Sequence, residues 1–254
     1  MSGLAKFLED EGLATTLIAL VRKQAQDVGP PRALWVPFPL GRPFGVPGDA
    51  AFQTRVLKAA LDLLERDSGP VLEDFPDDAP EDGIEDDGDG WVCPVSFPKP
   101  EAASEGERLD AVLAEIQELA PWYELSLGRR GRTTVGTSGL KPEAAARFIA
   151  HFTEDMATPS PLEGVAVADA LRLASEDIKA YYFEAATAQP GAGSSKAVLL
   201  WFWFETQAAL LIRALRDVCV TSEDPAVFDV GDFMLVDNLS DGPAPGAAPD
   251  QERT

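Results

Sequence analysis

Three side chains and one backbone segment carry the chemistry this sequence offers. Cys93, within Trp-Val-Cys-Pro-Val, is a candidate thiol nucleophile or redox partner, a role that needs a nearby cation or helix N-terminus to lower its pKa. No Lys or Arg lies between Asp67 and Pro98, and carboxylates crowd the same stretch, so its thiol is expected to be raised instead. His151 is the only histidine, which excludes a multi-histidine metal site and leaves any imidazole acid or base to this residue; a surface position beside Phe152 is its plainer reading. Glu205 follows the apolar run Val198 to Phe204 and would be a general acid or base if buried; its plainer reading is an ion pair with Arg213 or Arg216. Cys219 reads as a core residue. The backbone segment is Pro39-Leu40-Gly41-Arg42, whose amides, with Arg42 as countercharge, suit a small carboxylate if they lie at the C-terminal end of a parallel strand; otherwise the segment is a structural turn.

Two further clusters are weighed in the same way. Glu85, Asp87, Asp89 and Gly90 match the opening of a calcium loop, but Ser96 stands where the closing bidentate Glu is required, so no metal site is expected. Arg129, Arg130 and Arg132, followed by Thr133 and Thr134, form the one basic cluster, expected to meet the protein's own acids rather than a substrate anion.

The elements that must position these groups follow from periodicity. Leu4, Phe7 and Leu8 share a face of a short helix, Ala14 to Leu20 and Ala33 to Pro37 read as strands, and residues 21–28 fit one or two helical turns between them. Asp49 caps a helix running to about Arg66, with Phe52, Val56, Ala59, Ala60 and Leu63 on its apolar face. The order is that of a parallel βαβ fragment, Rossmann-like, with its faces covered by helices. Beyond the short apolar segment Trp91 to Phe97, helices are expected over about 105–128, from Pro142 (aligning Ala144, Phe148 and Phe152), over about 166–187 (aligning Leu171, Ala174, Ile178 and Tyr182), as one helix from Ser194 or Ser195 to about Cys219, and from Asp224 to Leu235. Val198 to Phe204 is apolar all round, which places it inside a domain or at a subunit contact.

Charge divides these elements into modules. Asp67 to Asp89 holds 11 acids, no base and three prolines, and reads as a mobile linker. The expected organisation is an α/β module over 1–68, an acidic linker over 69–90, a mostly α-helical module over 91–237 and a disordered tail over 238–254. Forty-three acids against 21 bases give a net charge of −22, which repels nucleic acid and anionic membranes. No apolar run reaches the roughly 18 residues of a membrane span. Two cysteines and an acidic start without a basic leader favour the cytoplasm.

The front module resembles the C-terminal end of selenoprotein B, the substrate-specific subunit of the glycine, sarcosine and betaine reductases, with D-proline reductase in the wider family. The likeness covers the first 68 residues. It runs through the acidic helix Leu4 to Glu11, then Gly12-Leu13 opening a strand, then Val36-Pro37-Phe38-Pro39-Leu40-Gly41-Arg42-Pro43, similar to the family's Pro-His-Pro-Leu-Gly segment, and then a long helix. It implies reductive cleavage of a bond between carbon and a nitrogen substituent by a selenocysteine or cysteine nucleophile. That nucleophile's position would fall upstream of Met1. Phe38 stands where the family often has His, and Arg42 where an Asp is common.

The expectation is therefore an oxidoreductase subunit that completes a site for a small amine- or carboxylate-bearing substrate, with Pro39, Leu40, Gly41 and Arg42 binding it. No cofactor is expected. The thiol or selenol chemistry would come from another subunit or from residues upstream, and the chain alone should perform no reductive cleavage. The other reading is a non-catalytic structural or regulatory subunit. In either case another protein subunit, or a second copy of the chain, is the expected partner, because so few strands leave sheet edges open.

Overall fold

The computed structural model describes residues 2–79, 105–190 and 195–235. The chain divides into two compact units, 1–83 and 84–254. The first is a small α/β layer structure and the second is helical, and nine α-helices lie among the described residues.

In the first unit, β1 (Leu17–Ala19), β2 (Arg32–Trp35) and β3 (Val71–Asp74) form a parallel sheet in that order, with Leu17 opposite Ala33 and Arg32 opposite Val71. Strand alternation sends neighbouring residues to opposite faces. Thr16 reaches α3 (Ala50–Asp62), its hydroxyl donating to the Ala60 carbonyl at 2.8 Å. Thr15 points the other way, to α1 (Ser2–Asp10), where the Glu9 carboxylate accepts from its backbone N–H and its hydroxyl. Arg32 also donates to Glu9, at 2.6 Å, and these contacts hold the carboxyl below its ordinary range, the Thr15 backbone bond foremost. On the α3 face, Leu34, Val36, Phe38, Phe52, Val56, Ala60, Leu63 and Phe75 make one core, with the rings of Phe38, Phe52 and Phe75 5.5 to 5.9 Å apart. The face bearing Ala33 and Trp35 meets α2 (Arg22–Val28) through Arg22, which stacks over Trp35. Asp49 caps α3 as its spacing requires, accepting from Phe52 N at 2.9 Å, and the helix runs on into a 3₁₀ turn over Leu63–Glu65.

The third strand corrects the organisation expected from composition. Val71–Asp74 lies within the run expected to be a mobile linker, yet it hydrogen-bonds along β2, with Val71 N donating to Pro31 O and Phe75 N to Trp35 O. Two acids are tolerated because this is an edge strand whose side chains reach cations: Glu73 contacts Arg66 and Asp74 contacts Arg22. Residues 80–90, the expected strand Trp91 to Phe97, the calcium-like segment and the 238–254 tail lie outside the described residues.

The second unit packs α4 (Glu105–Arg130), α5 (Pro142–Glu154), α6 (Val167–Thr187), α7 (Ser195–Glu205), α8 (Gln207–Cys219) and α9 (Pro225–Asp229) around one core. Pro142 opens α5 at its first position, and Leu171, Ala174, Ile178 and Tyr182 are fully buried. The expected alignment of α5 holds for Phe148 and Phe152, whereas Ala144 is exposed and Ala145 takes its place in the core.

The single helix expected from Ser194 or Ser195 to Cys219 is two, bent by 69° at Thr206. Thr206 is extended, its hydroxyl accepts from Ala209 N at 3.2 Å and donates to Phe202 O at 2.8 Å, and so one side chain both ends α7 and caps α8. The helix expected from Asp224 to Leu235 is α9 followed by a π turn, Val230–Met234. A side chain on Gly231 would sit 2.7 Å from the Cys219 Cβ, so this turn packs against the end of α8 at a distance only glycine allows. Among the described residues no single helix is long and apolar enough to cross a membrane.

Candidate functional site

At the C-terminal edge of the parallel sheet, three side chains from separate elements converge. Trp35 ends β2, Asp74 ends β3 directly opposite it, and Arg22 opens α2 just after β1. Arg22 Nε lies 3.2 and 3.3 Å from the two Asp74 carboxylate oxygens, and its guanidinium stands 5.9 Å from the Trp35 ring centroid. Trp35 Nε1 is buried and has no hydrogen-bond acceptor among the described residues. A buried indole donor left unpaired is an unsatisfied group of the kind a ligand oxygen relieves. Parallel sheets place ligands at this edge because helix N-termini and loop amides gather there.

The segment Pro39 to Arg42 follows β2 on the same side and is a tight turn. Arg42 N donates to Pro39 O at 3.1 Å, and Gly41, at φ 86°, occupies the position of positive φ that closes a type II turn. Leu40 and Gly41 are exposed and Arg42 is half-buried. Of the amides assigned to an anion, that of Arg42 is thus engaged in closing the turn. Phe38, where the resembled family often has a histidine, points into the aromatic core, so its side chain serves packing.

The remaining candidates are scattered. Cys93 lies outside the described residues. His151 is exposed near the end of α5, and Glu205 is exposed as the last residue of α7. Of the two arginines expected to pair with Glu205, Arg213 or Arg216, the first is engaged elsewhere: Arg213 stacks over Trp203 and Phe204 and donates to Trp203 O at 3.3 Å. Cys219 is buried, and loss of solvation pushes its thiol up to about 12. The tryptophans of α7, one of whose two expected places was a subunit contact, lie in the core of the second unit.

The second unit instead buries three acids that sequence reading did not single out. Asp177, fully buried on α6, accepts from the backbone N–H of Gly136, Thr137 and Ser138, each at 2.9 Å, and from the Ser138 hydroxyl. Glu184, two turns on, accepts from Thr134 N and from the hydroxyls of Thr133 and Thr134, all at 2.8 Å. Because the Thr133 proton is committed to Glu184, Tyr123 must be the donor in its 3.0 Å contact with that oxygen. The basic cluster's expected meeting with the protein's own acids thus falls to its threonines: Arg129 donates to Ala188 O and Arg130 to Thr187 Oγ1.

Glu115, on α4, is 4% exposed and bridges three elements. Its carboxylate takes Gln207 N at 2.7 Å and Ala208 N at 3.3 Å from the first turn of α8, and the Tyr182 hydroxyl of α6 at 2.8 Å. Burial raises its pKa to about 7 despite these donors. Among the described residues no cluster of His, Cys, Asp and Glu could hold a metal ion.

Comparison with protein families, curated proteins and solved structures finds no match for this chain.

Proposed function

We propose that this chain is a subunit of a reductase-like complex, in which its first unit, a Rossmann-like fragment, binds a small amine- or carboxylate-bearing substrate while a partner protein supplies the thiol or selenol that cleaves it. The observation that carries this reading is the set of Arg22, Asp74 and the unpaired Trp35 indole N–H at the C-terminal edge of the sheet. A guanidinium and an indole donor match a carboxylate, and Asp74 matches an amine. Both members of the Arg22 and Asp74 pair are well exposed, at 39% and 47%, so a zwitterion exchanges a weak ion pair for two complementary contacts. The reductase class comes from the resemblance to selenoprotein B, and the cytoplasm is the compartment in which its thiol chemistry would run.

Partner dependence follows from the same unit. Leu57, Leu61 and Leu64 recur along one exposed side of α3 and its 3₁₀ turn, and both outer strands of the three-stranded sheet have an open edge among the described residues. A second reading, a docking subunit without a substrate of its own, is favoured by those leucines and by the burial of Cys219.

Calorimetric titration of the full chain with glycine, betaine and proline separates the two. The substrate reading expects at least one of the three to bind, with about tenfold weaker affinity in Arg22→Met, the loss of one charge-assisted contact. Absence of binding by all three, or equal binding by Arg22→Met, overturns it and leaves the docking subunit.

A further inference from the structure

All three tyrosines of the chain stand in one stack. The ring centroids of Tyr123 and Tyr181 are 4.6 Å apart, those of Tyr181 and Tyr182 are 6.3 Å apart, and the Trp201 ring lies 6.2 Å beyond Tyr182. These are contact distances for aromatic rings. The stack runs from the core of the second unit outward: Trp201, Tyr182 and Tyr181 are buried, whereas Tyr123 is half-buried. Indole and phenol rings give up single electrons readily, and rings in contact exchange them by tunnelling.

The hydroxyl partners distinguish this stack from ordinary packing. A phenol that loses an electron becomes a strong acid, so its oxidation needs a base to take the proton. Tyr182 Oη donates at 2.8 Å to Glu115 Oε2, on a buried carboxylate. Tyr123 Oη donates at 3.0 Å to Thr133 Oγ1, which in turn donates at 2.8 Å to Glu184 Oε2, on a second buried carboxylate. Tyr181 Oη donates to the carbonyl oxygen of Ile116, which is no base. The two outer tyrosines therefore hold a proton acceptor and the middle one does not.

We propose that this stack carries one-electron oxidising equivalents from Trp201 outward to Tyr123, with Glu115 and Glu184 taking the phenol protons and Tyr181 serving as a bridge that keeps its own. The chain starts when a one-electron oxidant, of the class of the carbonate radical, takes an electron from the Trp201 indole and is itself reduced to the anion. The indole radical cation then takes an electron from Tyr182, whose O–H bond breaks as an O–H bond forms on Glu115 Oε2. Next, an electron passes from Tyr123 through the Tyr181 ring to the Tyr182 phenoxyl, which recovers its proton from Glu115. Tyr123 gives its proton to Thr133, and Thr133 gives its own to Glu184 Oε2. A water-soluble reductant such as a thiolate or ascorbate returns an electron to the Tyr123 phenoxyl, the proton comes back from Glu184 through Thr133, and the reductant leaves as the radical. The core is restored.

Ultraviolet laser flash photolysis of the full chain, with an electron scavenger present, tests the proposal because it ejects electrons from indoles whether buried or exposed. Wild type is expected to convert indole radical into phenoxyl radical in a phase whose rate does not depend on protein concentration. Glu115→Gln, which keeps the side chain's size but is no longer a base, is expected to slow that phase about a hundredfold, the low end for losing a positioned proton acceptor. Tyr181→Phe, which keeps the bridging ring, should leave it near the wild-type rate. An unchanged rate in Glu115→Gln overturns the proposal, since electrons then leave by another route, such as Trp122 beside Tyr123. Should Glu115→Gln fail to fold, Tyr123→Phe provides the second arm, because it keeps the outermost ring and loses only the hydroxyl. Electron paramagnetic resonance of flash-frozen samples should then find the phenoxyl on Tyr182 instead of Tyr123, and a spectrum identical to that of wild type rejects the assignment.

Discussion

Asp177→Ala is expected to destabilise the second unit by about 3 kcal/mol and to release the loop between α4 and α5. The substitution removes the acceptor for three backbone N–H groups and one hydroxyl at a fully buried position. A buried N–H without a partner costs roughly 1–3 kcal/mol, and partial rehydration of a loop keeps the total below a simple sum. Asp177→Asn should fall between, because its carbonyl still serves Gly136 and Thr137 while its amide faces the Ser138 N–H donor to donor. Urea denaturation measures the loss, and trypsin provides a local probe: exposed Arg132 lies at the start of the loop and should be cut much faster in the alanine variant. A variant with wild-type stability and wild-type cleavage at Arg132 would show that the loop is held by something other than this carboxylate.

Phe202→Ala should cost about 3–5 kcal/mol, the range for deleting a buried aromatic ring. Phe202 is fully buried where α7 meets α6, with ring contacts to Tyr182 at 5.5 Å, Phe183 at 5.1 Å and Trp203 at 5.1 Å. Removing it opens a cavity between helices held at an angle by Thr206, where collapse is restricted. Leu61→Ala in α3, 47% exposed, is the control and should change stability by less than about 1 kcal/mol. Similar melting shifts for the two would mean that α7 does not sit in the core.

The helices of the second unit are legible in the sequence because their stabilisation is repetitive: Leu171, Ala174, Ile178 and Tyr182 repeat a spacing that only an α-helix turns into one buried face. The acids on α6 are legible too, in principle. Ala170, Ala174, Asp177, Tyr181 and Glu184 follow the same three-and-four rhythm, and that rhythm alone puts both carboxylates on the buried side of the helix. The strand Val71–Asp74 leaves no such trace, since four residues ending in two acids look like solvated chain, and what makes them a strand is pairing with β2 and cations from Arg22 and Arg66. Likewise the break at Thr206 depends on one hydroxyl bonded in both directions, a local event that apolar periodicity averages away. At the candidate site, the turn at Pro39 to Arg42 could be placed at the end of a strand. The Arg22, Trp35 and Asp74 set could not, because those residues meet only through the parallel register of three strands.

Glu115, Asp177 and Glu184 share a feature with a consequence for how this protein can change. All are buried, and all are held by uncharged donors, whether backbone N–H groups or the hydroxyls of Ser, Thr and Tyr. In a chain with 43 acids and 21 bases, cations are the scarcer partner, and the interior of the second unit fixes its carboxylates without drawing on them. Its outer lysines, arginines and acids can therefore drift in number and position over generations, following whatever surface a partner demands, while the loop and the helix corner stay anchored.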